Sequence, residues 1–338
     1  MRPSPELWPP VITFPYTTSR TVEKHLSGVR IDTFLAKHFR SYTTWCLHRM
    51  VRAGAARVNG EVAEPARRVF VGQEVTIRLL EPPDDLMPAE EIPLTVLLED
   101  DSLIAVNKPA GLIVHPCGES PRGTLTNAAQ WYLDRSGPIP GLYKPGVVHR
   151  LDRDTSGVIL LAKDHMSHRQ LSNEFQLGRV AKTYLAIVDG VLTSDAGVID
   201  QPIGRVRGCS SALMTTRGDA LDARPSKTAY EVVSRLPRHT IVKAKPRTGR
   251  LHQIRVHLAS IGHPIVGDEY YAPFGELKPP RPPLNPDGSR PGPAISPYIP
   301  RQALHAVELG FAHPSTGDWT VVSAPLPDDF QRAVELLS

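Results

Sequence analysis

A short segment rich in proline and acidic residues constrains the fold of this chain most strongly. Residues 81–93, "EPPDDLMPAEEIP", contain four prolines and five acidic side chains. Because proline fixes its own φ angle and has no N–H to donate, neither a helix nor a central strand can continue through this segment. A chain of 338 residues is also long for a single hydrophobic core. We therefore expect two folded units joined by a linker at residues 81–93.

The front unit is predicted to span residues 19–80, after an N-terminal tail at residues 1–18. "GVRIDTFLAKHF" and "SYTTWCLHRMVRAG" have the apolar spacing of two short helices. In "ARVNGEV", Asn59-Gly60 lies between two valines and is typical of a tight hairpin turn. "GQEVTIRLL" then alternates apolar and polar residues as a half-buried strand does. The expected unit is two helices with a small sheet.

Positive charge is concentrated in this front unit. Residues 20–80 contain eleven Lys and Arg against five Asp and Glu, a local charge of +6 in a chain whose net charge is +4. Such a concentration indicates a surface for a polyanion, most simply nucleic acid. Arg49, Arg52 and Arg57 are the residues that we expect to contact phosphates. The alternative is an ordinary solvated basic face.

The remainder of the chain, residues 94–338, has the pattern of an α+β unit. Strand-like segments such as "GVILLAKD", "KTYLAIVDG", "HTIVKAKP" and "DWTVVSAP" alternate with helical ones such as "HRQLSNEFQLG". This order favours a mostly antiparallel or mixed sheet. Residues 271–300 contain ten prolines and no periodicity, which predicts a surface loop.

Several classes of protein are not indicated by the sequence. No apolar run approaches the roughly 18 residues that a membrane helix needs. The first twenty residues lack the basic start and apolar stretch of a signal peptide, so we expect a cytoplasmic protein. The three cysteines are far apart and form no CxxC pair, which argues against disulfides and against a zinc site. We expect a monomer with neither metal nor cofactor.

The nine residues "HRLDRDTSG", 149–157, lie between two strand-like segments and are the first candidate for chemistry. Asp154 and the residues after it have the composition of a turn, which explains this aspartate structurally. Asp152 has no such explanation. It lies between Arg150 and Arg153, which favour its ionised form. An ionised, positioned aspartate can be a nucleophile, a base or a metal ligand.

A second candidate group lies in "PRTGRLHQIRVHLASIGHPIVGD", which predicts a turn followed by a helix. Arg255 falls beside an apolar stripe formed by Leu251, Leu258 and Ile261. A guanidinium in such a place needs a carboxylate partner, for which we choose Asp152. His252 and His257 are five residues apart on this helix, so they are not expected to bind one metal ion.

Tyr184, in "AKTYLAIVDG", is the third candidate. It shares a strand face with Ala186 and Val188, and an aromatic ring on a strand can stack on a nucleobase. The alternative is a core tyrosine whose hydroxyl reaches the surface.

Five segments together resemble one family. "VNKPAGLIVHP", "HRLDRDTSG", "KTYLA", "TGRLHQIRVH" with "GHPIVGD", and "RQALHA" occur in the order found in the RluA-type pseudouridine synthases of large-subunit ribosomal RNA. The front unit resembles the S4-like RNA-binding domain that often precedes them, although its "SYTTW" departs from the usual Ser-Arg pair. The segment "RGCSSALMTTRGDALDARPSKTAY" is less basic than in the family, which affects substrate choice.

The resemblance implies the pseudouridine synthase fold, a long mixed and mainly antiparallel sheet with flanking helices. It implies that Asp152 is the essential carboxylate, Arg255 its ion-pair partner, Tyr184 the residue that stacks on the target base, and Arg150 the residue that evicts it. Further substrate contacts are expected from the other polar residues of the same motifs, namely His149, Lys108, Arg250 and His252.

The implied reaction breaks the C1′–N1 bond of uridine and rejoins the uracil through C5, without cofactor. Asp152 would attack C1′ or support a glycal or oxocarbenium-like species. The front domain favours ribosomal RNA as substrate, with transfer RNA as the alternative. Two other functions are alternatives: a non-catalytic RNA-binding factor of ribosome assembly, and a glycosidic-bond hydrolase that uses Asp152 with Asp154.

Overall fold

The secondary structure is given by a computed structural model, which describes residues 17–40, 42–79, 88–117, 122–136, 143–208, 213–279 and 296–338. The helices are α1 Ile31–His38, α2 Thr44–Arg52, α3 Leu125–Ser136, α4 His165–Gln176, α5 Gln253–Ser260 and α6 Asp328–Leu337, with 3-10 turns at Lys24–Leu26 and Pro273–Gly275. The strands are β1 Thr17–Thr21, β2 Ala56–Val58, β3 Glu61–Val62, β4 Glu74–Arg78, β5 Thr95–Glu99, β6 Leu103–Lys108, β7 Gly146–Val147, β8 Ser156–Ala162, β9 Ala181–Asp189, β10 Ala196–Asp200, β11 Ile203–Arg205, β12 Met214–Thr215, β13 Leu221–Arg224, β14 Lys227–Arg235, β15 His239–Pro246, β16 Leu304–Ala312 and β17 Trp319–Ser323.

The front unit has the two helices and the small sheet that its sequence predicts. Its four strands are antiparallel in the order β1-β4-β2-β3, and α1 packs with α2. The hairpin turn is at Asn59 and Gly60, whose φ angles of 49° and 85° match the turn that Asn-Gly favours. Helix α2 is capped by Thr43, whose hydroxyl accepts from the Cys46 N–H.

Strand β1 was not predicted from the sequence. It begins at Thr17, inside the segment that was expected to be a tail, and pairs with β4 along its whole length. Its five residues are mostly exposed, so no apolar alternation marks it in the sequence. Of the predicted linker, residues 81–87 lie outside the described part of the chain.

The second unit is built on a ten-stranded mixed sheet, as predicted. Eight strands follow the order β10-β14-β15-β9-β16-β8-β6-β5, while β17 pairs with β16 and β7 with β8. Among the described strands, the pairing of β8 with β16 is parallel and the others are antiparallel. A separate three-stranded sheet, β12-β11-β13, is formed by the chain between β10 and β14.

Helices cover both faces of the sheet at β6 and β8. Alternate residues of these strands pack on opposite sides: Val158 and Leu160 contact the cluster that includes Leu171 of α4, whereas Ile159 contacts the one that includes Leu125 of α3. A strand buried on both faces is apolar throughout, which is why "GVILLA" shows no polar alternation. Helices α5 and α6 contribute to a third cluster with β9 and β15.

Glycine is required where β8 meets β16. Gly157 has a φ of 116°, and a Cβ atom there would overlap the carbonyl oxygen of Ala306 on the neighbouring strand. The parallel pairing of Ala306 with Gly157 therefore depends on the missing side chain. This contact holds the end of the 149–157 segment against the centre of the sheet.

The predicted surface loop at residues 271–300 is packed at both of its ends. Tyr271 and Ile299 are almost fully buried, which corrects the expectation for these residues, and Tyr271 forms an isolated bridge with Leu277. The central part of the insert, residues 280–295, lies outside the described residues. Among the helices that the structure describes, none combines the length and the apolar character needed to cross a membrane.

Candidate active site

Asp152 is presented by the loop that enters β8. The Thr155 N–H donates to the carbonyl of Asp152 at 3.1 Å, so the turn runs from Asp152 to Thr155. The sequence placed this turn two residues later, but Ser156 and Gly157 already belong to β8. The Asp152 side chain remains 18 % exposed, so a substrate can reach it.

Arg255 pairs with Asp152, as the sequence indicated. Its Nη1 donates to Asp152 Oδ2 at 3.0 Å, although the two residues are 103 positions apart. The guanidinium is buried, with 3 % exposure. Of the predicted apolar stripe, Leu258 is buried in the core, whereas Leu251 precedes α5 in a turn and does not belong to the helix.

A second carboxylate, which the sequence reasoning missed, binds the other side of Arg255. Asp268 is fully buried and accepts from Nε at 2.6 Å and from Nη2 at 3.0 Å. It also accepts from the backbone N–H groups of Tyr270 and Tyr271. The number of N–H groups on Arg255 could have indicated this second carboxylate, because a guanidinium has five such groups and one carboxylate cannot accept from all of them.

Arg255 and Asp268 stabilise each other's charge, and Asp152 adds to the stabilisation of Arg255. Burial raises the pKa of Asp268, but the Arg255 guanidinium and the two backbone N–H groups outweigh it and hold that pKa below its usual value. Burial likewise opposes the charge on Arg255, yet Asp268 and Asp152 raise the pKa of Arg255 above its usual value. Arg255 therefore stays charged beside Asp152.

Tyr184 lies on β9, which is hydrogen-bonded to β15 on one side and to β16 on the other. Its ring packs against the core cluster that contains Ala186 and Val188, and also against the one that contains Leu151. Burial, and next the charge of Asp152, raise the pKa of Tyr184, so its hydroxyl is protonated. The tyrosine thus packs against the cluster that contains Leu151, the residue before the candidate carboxylate.

His252 and Arg150 complete the group around Asp152. The Nε2 atom of His252 lies 4.0 Å from Asp152 Oδ2, and its Nδ1 lies 2.7 Å from the hydroxyl of Tyr271. Burial, followed by the charge of Arg255, lowers the pKa of His252 to about 4. The charge of the exposed Arg150 contributes in the same direction.

Lys108 is not placed where it could contact a substrate, which corrects the prediction. It is fully buried, and its ammonium donates to the carbonyls of Pro109, Leu112 and Arg153. Burial lowers the pKa of Lys108 to about 7, an effect that the nearby Asp154 opposes. Lys108 therefore ties the loop of residues 149–157 to the end of β6.

His149 also supports the loop. Its Nε2 accepts from the Leu160 N–H at 3.0 Å, and its ring stacks on Phe175 with 4.5 Å between centroids. Burial, and then the charge of Lys182, lower the pKa of His149 to about 3, so the ring is neutral. Arg250 lies against the carbonyl of Pro225 through two contacts of 3.4 Å, and its contact with a substrate stays a prediction.

The front-unit arginines lie on α2 and β2. The Arg49 guanidinium stacks 4.5 Å from the ring centroid of the half-exposed Trp45. Arg52 is exposed, and Arg57 donates to the Gly60 carbonyl at the hairpin. Within the described ranges, no three His, Cys, Asp or Glu side chains are grouped so that they could hold a metal ion.

Fold and site together define an enzyme in which a mixed sheet positions one partly exposed carboxylate against a buried arginine. Comparison with known proteins agrees. The family model described as RNA pseudouridylate synthase matches residues 102–260. An uncharacterised RNA pseudouridine synthase of Bacillus subtilis is 35% identical over 317 residues, which cover 94% of this chain and 97% of that protein. The ribosomal large subunit pseudouridine synthase D of Haemophilus influenzae is 36% identical, with 95% and 94% covered.

Solved structures show the same fold. Human RNA pseudouridylate synthase domain containing 4 superposes with a TM-score of 0.55 at 28% identity, covering 72% of this chain and 92% of that one. This chain belongs to the RNA pseudouridine synthase family, in its RluA-type group. It is an enzyme that isomerises uridine to pseudouridine in RNA.

Proposed function

We propose that this enzyme modifies uridines of large-subunit ribosomal RNA and that Asp152 is its nucleophile. The observation that carries the proposal is the partly exposed Asp152 carboxylate. Its Oδ2 accepts from the buried Arg255, which also forms an ion pair with Asp268. The choice of ribosomal RNA is supported by relatives from Haemophilus influenzae and Nitrosomonas europaea, both named ribosomal large subunit pseudouridine synthase D.

The geometry suits attack at the sugar. Arg255 donates to Oδ2 of Asp152, which leaves Oδ1 to form the bond to C1′. As this bond forms, the C1′–N1 bond breaks and its electron pair leaves with the uracil. The uracil then turns, C5 bonds to C1′, the carboxylate is released and the proton at C5 is lost. N1 gains a proton, so the sequence is an isomerisation that needs no cofactor or co-reactant.

Tyr184 and Arg150 are assigned to the base. A uridine within a helix must leave the stack to reach Asp152, and this costs a few kcal/mol. The Tyr184 ring, carried by β9 between β15 and β16, offers a face on which the uracil stacks. Arg150 is exposed two residues before Asp152, where it can enter the space that the base leaves.

The front unit is assigned to RNA binding in the manner of an S4-like domain. Arg49 is held by Trp45, so its charge is presented with little loss of side-chain entropy, and Arg52 lies one helical turn further on. We further propose that the protein acts as a cytoplasmic monomer. It is also proposed to need no metal, since the reaction takes place within one nucleotide.

The test is release of tritium from RNA labelled at uracil C5, because the reaction removes that hydrogen. Wild-type enzyme is expected to release label from large-subunit ribosomal RNA, and Asp152→Asn to release none while its RNA affinity is nearly unchanged. Asp154→Asn is the matched control, because asparagine also suits a turn and activity should be retained. Release by Asp152→Asn at the wild-type rate would refute the assignment of the nucleophile.

The substrate is tested separately. Pseudouridines are mapped in ribosomal and transfer RNA from cells with and without this protein. Loss of sites in large-subunit ribosomal RNA alone is expected. Loss confined to transfer RNA would replace the proposed substrate and leave the chemistry at Asp152 intact.

A further inference from the structure

The hydrogen bonds around His252 suit the tautomer that carries its proton on Nε2. The Tyr271 hydroxyl oxygen accepts from the Met214 N–H at 3.2 Å and lies 2.7 Å from His252 Nδ1. Burial raises the pKa of Tyr271, so this hydroxyl keeps its proton, and donating it to Nδ1 gives that buried hydrogen an acceptor. An imidazole that accepts at Nδ1 carries its own hydrogen on Nε2.

The ring is also held firmly in place. His252 has a left-handed backbone conformation with a φ of 54°, at the residue before α5. Its ring stacks on Tyr270 with an interplanar angle of 23° and meets the edge of Tyr271 at 75°. A sparsely populated backbone angle persists only where the surroundings determine it, and such positions cluster at functional sites.

The Nε2 atom lies near the candidate nucleophile but does not bond to it. Nε2 lies 4.0 Å from Asp152 Oδ2, beyond hydrogen-bond distance. A hydroxyl beside this gap can accept from Nε2–H and donate to Oδ2, with both distances near the usual ~2.8 Å. Of the hydroxyls on a target nucleotide, the ribose 2′-OH is nearest to C1′, because it is attached to the adjacent carbon.

We infer that His252 is a specificity-determining residue whose Nε2–H, together with Asp152 Oδ2, recognises the 2′-hydroxyl of the target uridine. This inference rests on the proposed function of Asp152. The contact would place C1′ beside Oδ1 and would distinguish a ribonucleotide from a deoxyribonucleotide, since the 2′-hydroxyl is both donor and acceptor. Tyr271 acts through His252 as a positioning residue.

The experiment compares two RNA stem-loops that carry the uridine identified by mapping. They differ at that position alone, which is uridine in one and 2′-deoxyuridine in the other, both tritiated at C5. For wild-type enzyme, the single-turnover rate of tritium release should fall about 10- to 100-fold on the deoxy substrate, because a buried donor is left unpaired. This ratio of rates is the measure of discrimination.

Three variants test the origin of that ratio. His252→Ala should reduce the discrimination about tenfold, whereas His252→Gln, whose side-chain amide can replace the Nε2–H donor, should restore part of it. Tyr271→Phe should reduce it about 2- to 10-fold, because the proton is no longer directed to Nε2. His239→Ala, at the far end of β15, is the matched control and should discriminate as wild type does.

The outcomes separate this inference from the proposed function. No release from the all-ribose stem-loop by wild type overturns the proposed function. Normal release with equal rates on both substrates overturns the role of the 2′-hydroxyl. A wild-type ratio that persists in His252→Ala and Tyr271→Phe overturns the role of His252. If His252→Ala does not fold, His252→Gln and Tyr271→Phe still decide between these results.

Discussion

Asp268 is the residue whose substitution tests the site most directly, because it bonds to Arg255 and is itself fully buried. Asp268→Asn keeps the shape of the side chain and removes its charge. The carboxylate accepts four hydrogen bonds, two from the guanidinium and two from backbone N–H groups. An amide has one acceptor oxygen, so its NH₂ group must face a donor and at least one of these bonds is lost.

The expected loss of stability follows from the burial of the pair. Removing one partner of a buried ion pair costs about 3–5 kcal/mol. Because Arg255 keeps Asp152 as a second partner, we expect a loss near the lower limit, about 3 kcal/mol in the free energy of unfolding. The guanidinium would also shift relative to Asp152, and a displacement of about 1 Å can reduce a rate about 100-fold.

The assay is urea denaturation at pH 7, together with tritium release. Asp222→Asn is the matched control, since Asp222 pairs with Arg205 at the surface and such pairs contribute about 0–1 kcal/mol. The pKa of Asp268 is lowered in the folded state, so its contribution is present above pH ~4 and is lost as the pH falls further. Wild type and Asp268→Asn should therefore converge in acid. An Asp268→Asn enzyme with wild-type stability and rate would refute the reasoning.

Three other perturbations have defined outcomes. The pKa of His149 in the folded state is about 3, so the free energy of unfolding should fall as the pH is lowered from ~6.5 toward 3, by up to about 1.4 kcal/mol per pH unit. His149→Gln should reduce this dependence on pH, as measured by urea titrations. Gly157→Ala should lower the free energy of unfolding by roughly 2–5 kcal/mol because its Cβ overlaps Ala306, and unchanged melting would contradict this. Arg49→Ala with Arg52→Ala should weaken RNA binding and reduce its salt slope by about one per lost phosphate contact, whereas an unchanged slope would exclude both contacts.

Local features of the structure were predictable from the sequence, because their causes are local. Asn59-Gly60 specifies a hairpin through backbone torsions that few other pairs adopt. The apolar run in β8 predicts a buried strand, so the polar segment before it had to be a loop at the end of the sheet. Strand β1 was missed because its exposed residues have no apolar pattern and its position depends on pairing with β4.

The site was predicted in part, to the extent that charge alone determines it. The need of Arg255 for a carboxylate pointed to Asp152, and the structure has that pair. Charge could not show that Lys108 is fully enclosed, because a lysine at the end of a strand suits a substrate contact as well as a buried one. Two of the three carbonyls that bind its ammonium flank the turn after β6, and the fold brings the third, that of Arg153, beside them.

The sequence by itself determined two units, the α+β class of the second unit, and a loop that presents Asp152 beside arginines. These follow from apolar periodicity, proline placement and turn composition, which act over a few residues. Tertiary structure alone decided that Arg255 pairs with Asp268 as well as with Asp152, and that His252 lies between Tyr271 and Asp152. Such contacts join residues from distant segments, and their distances are set by sheet register and helix packing rather than by neighbouring residues.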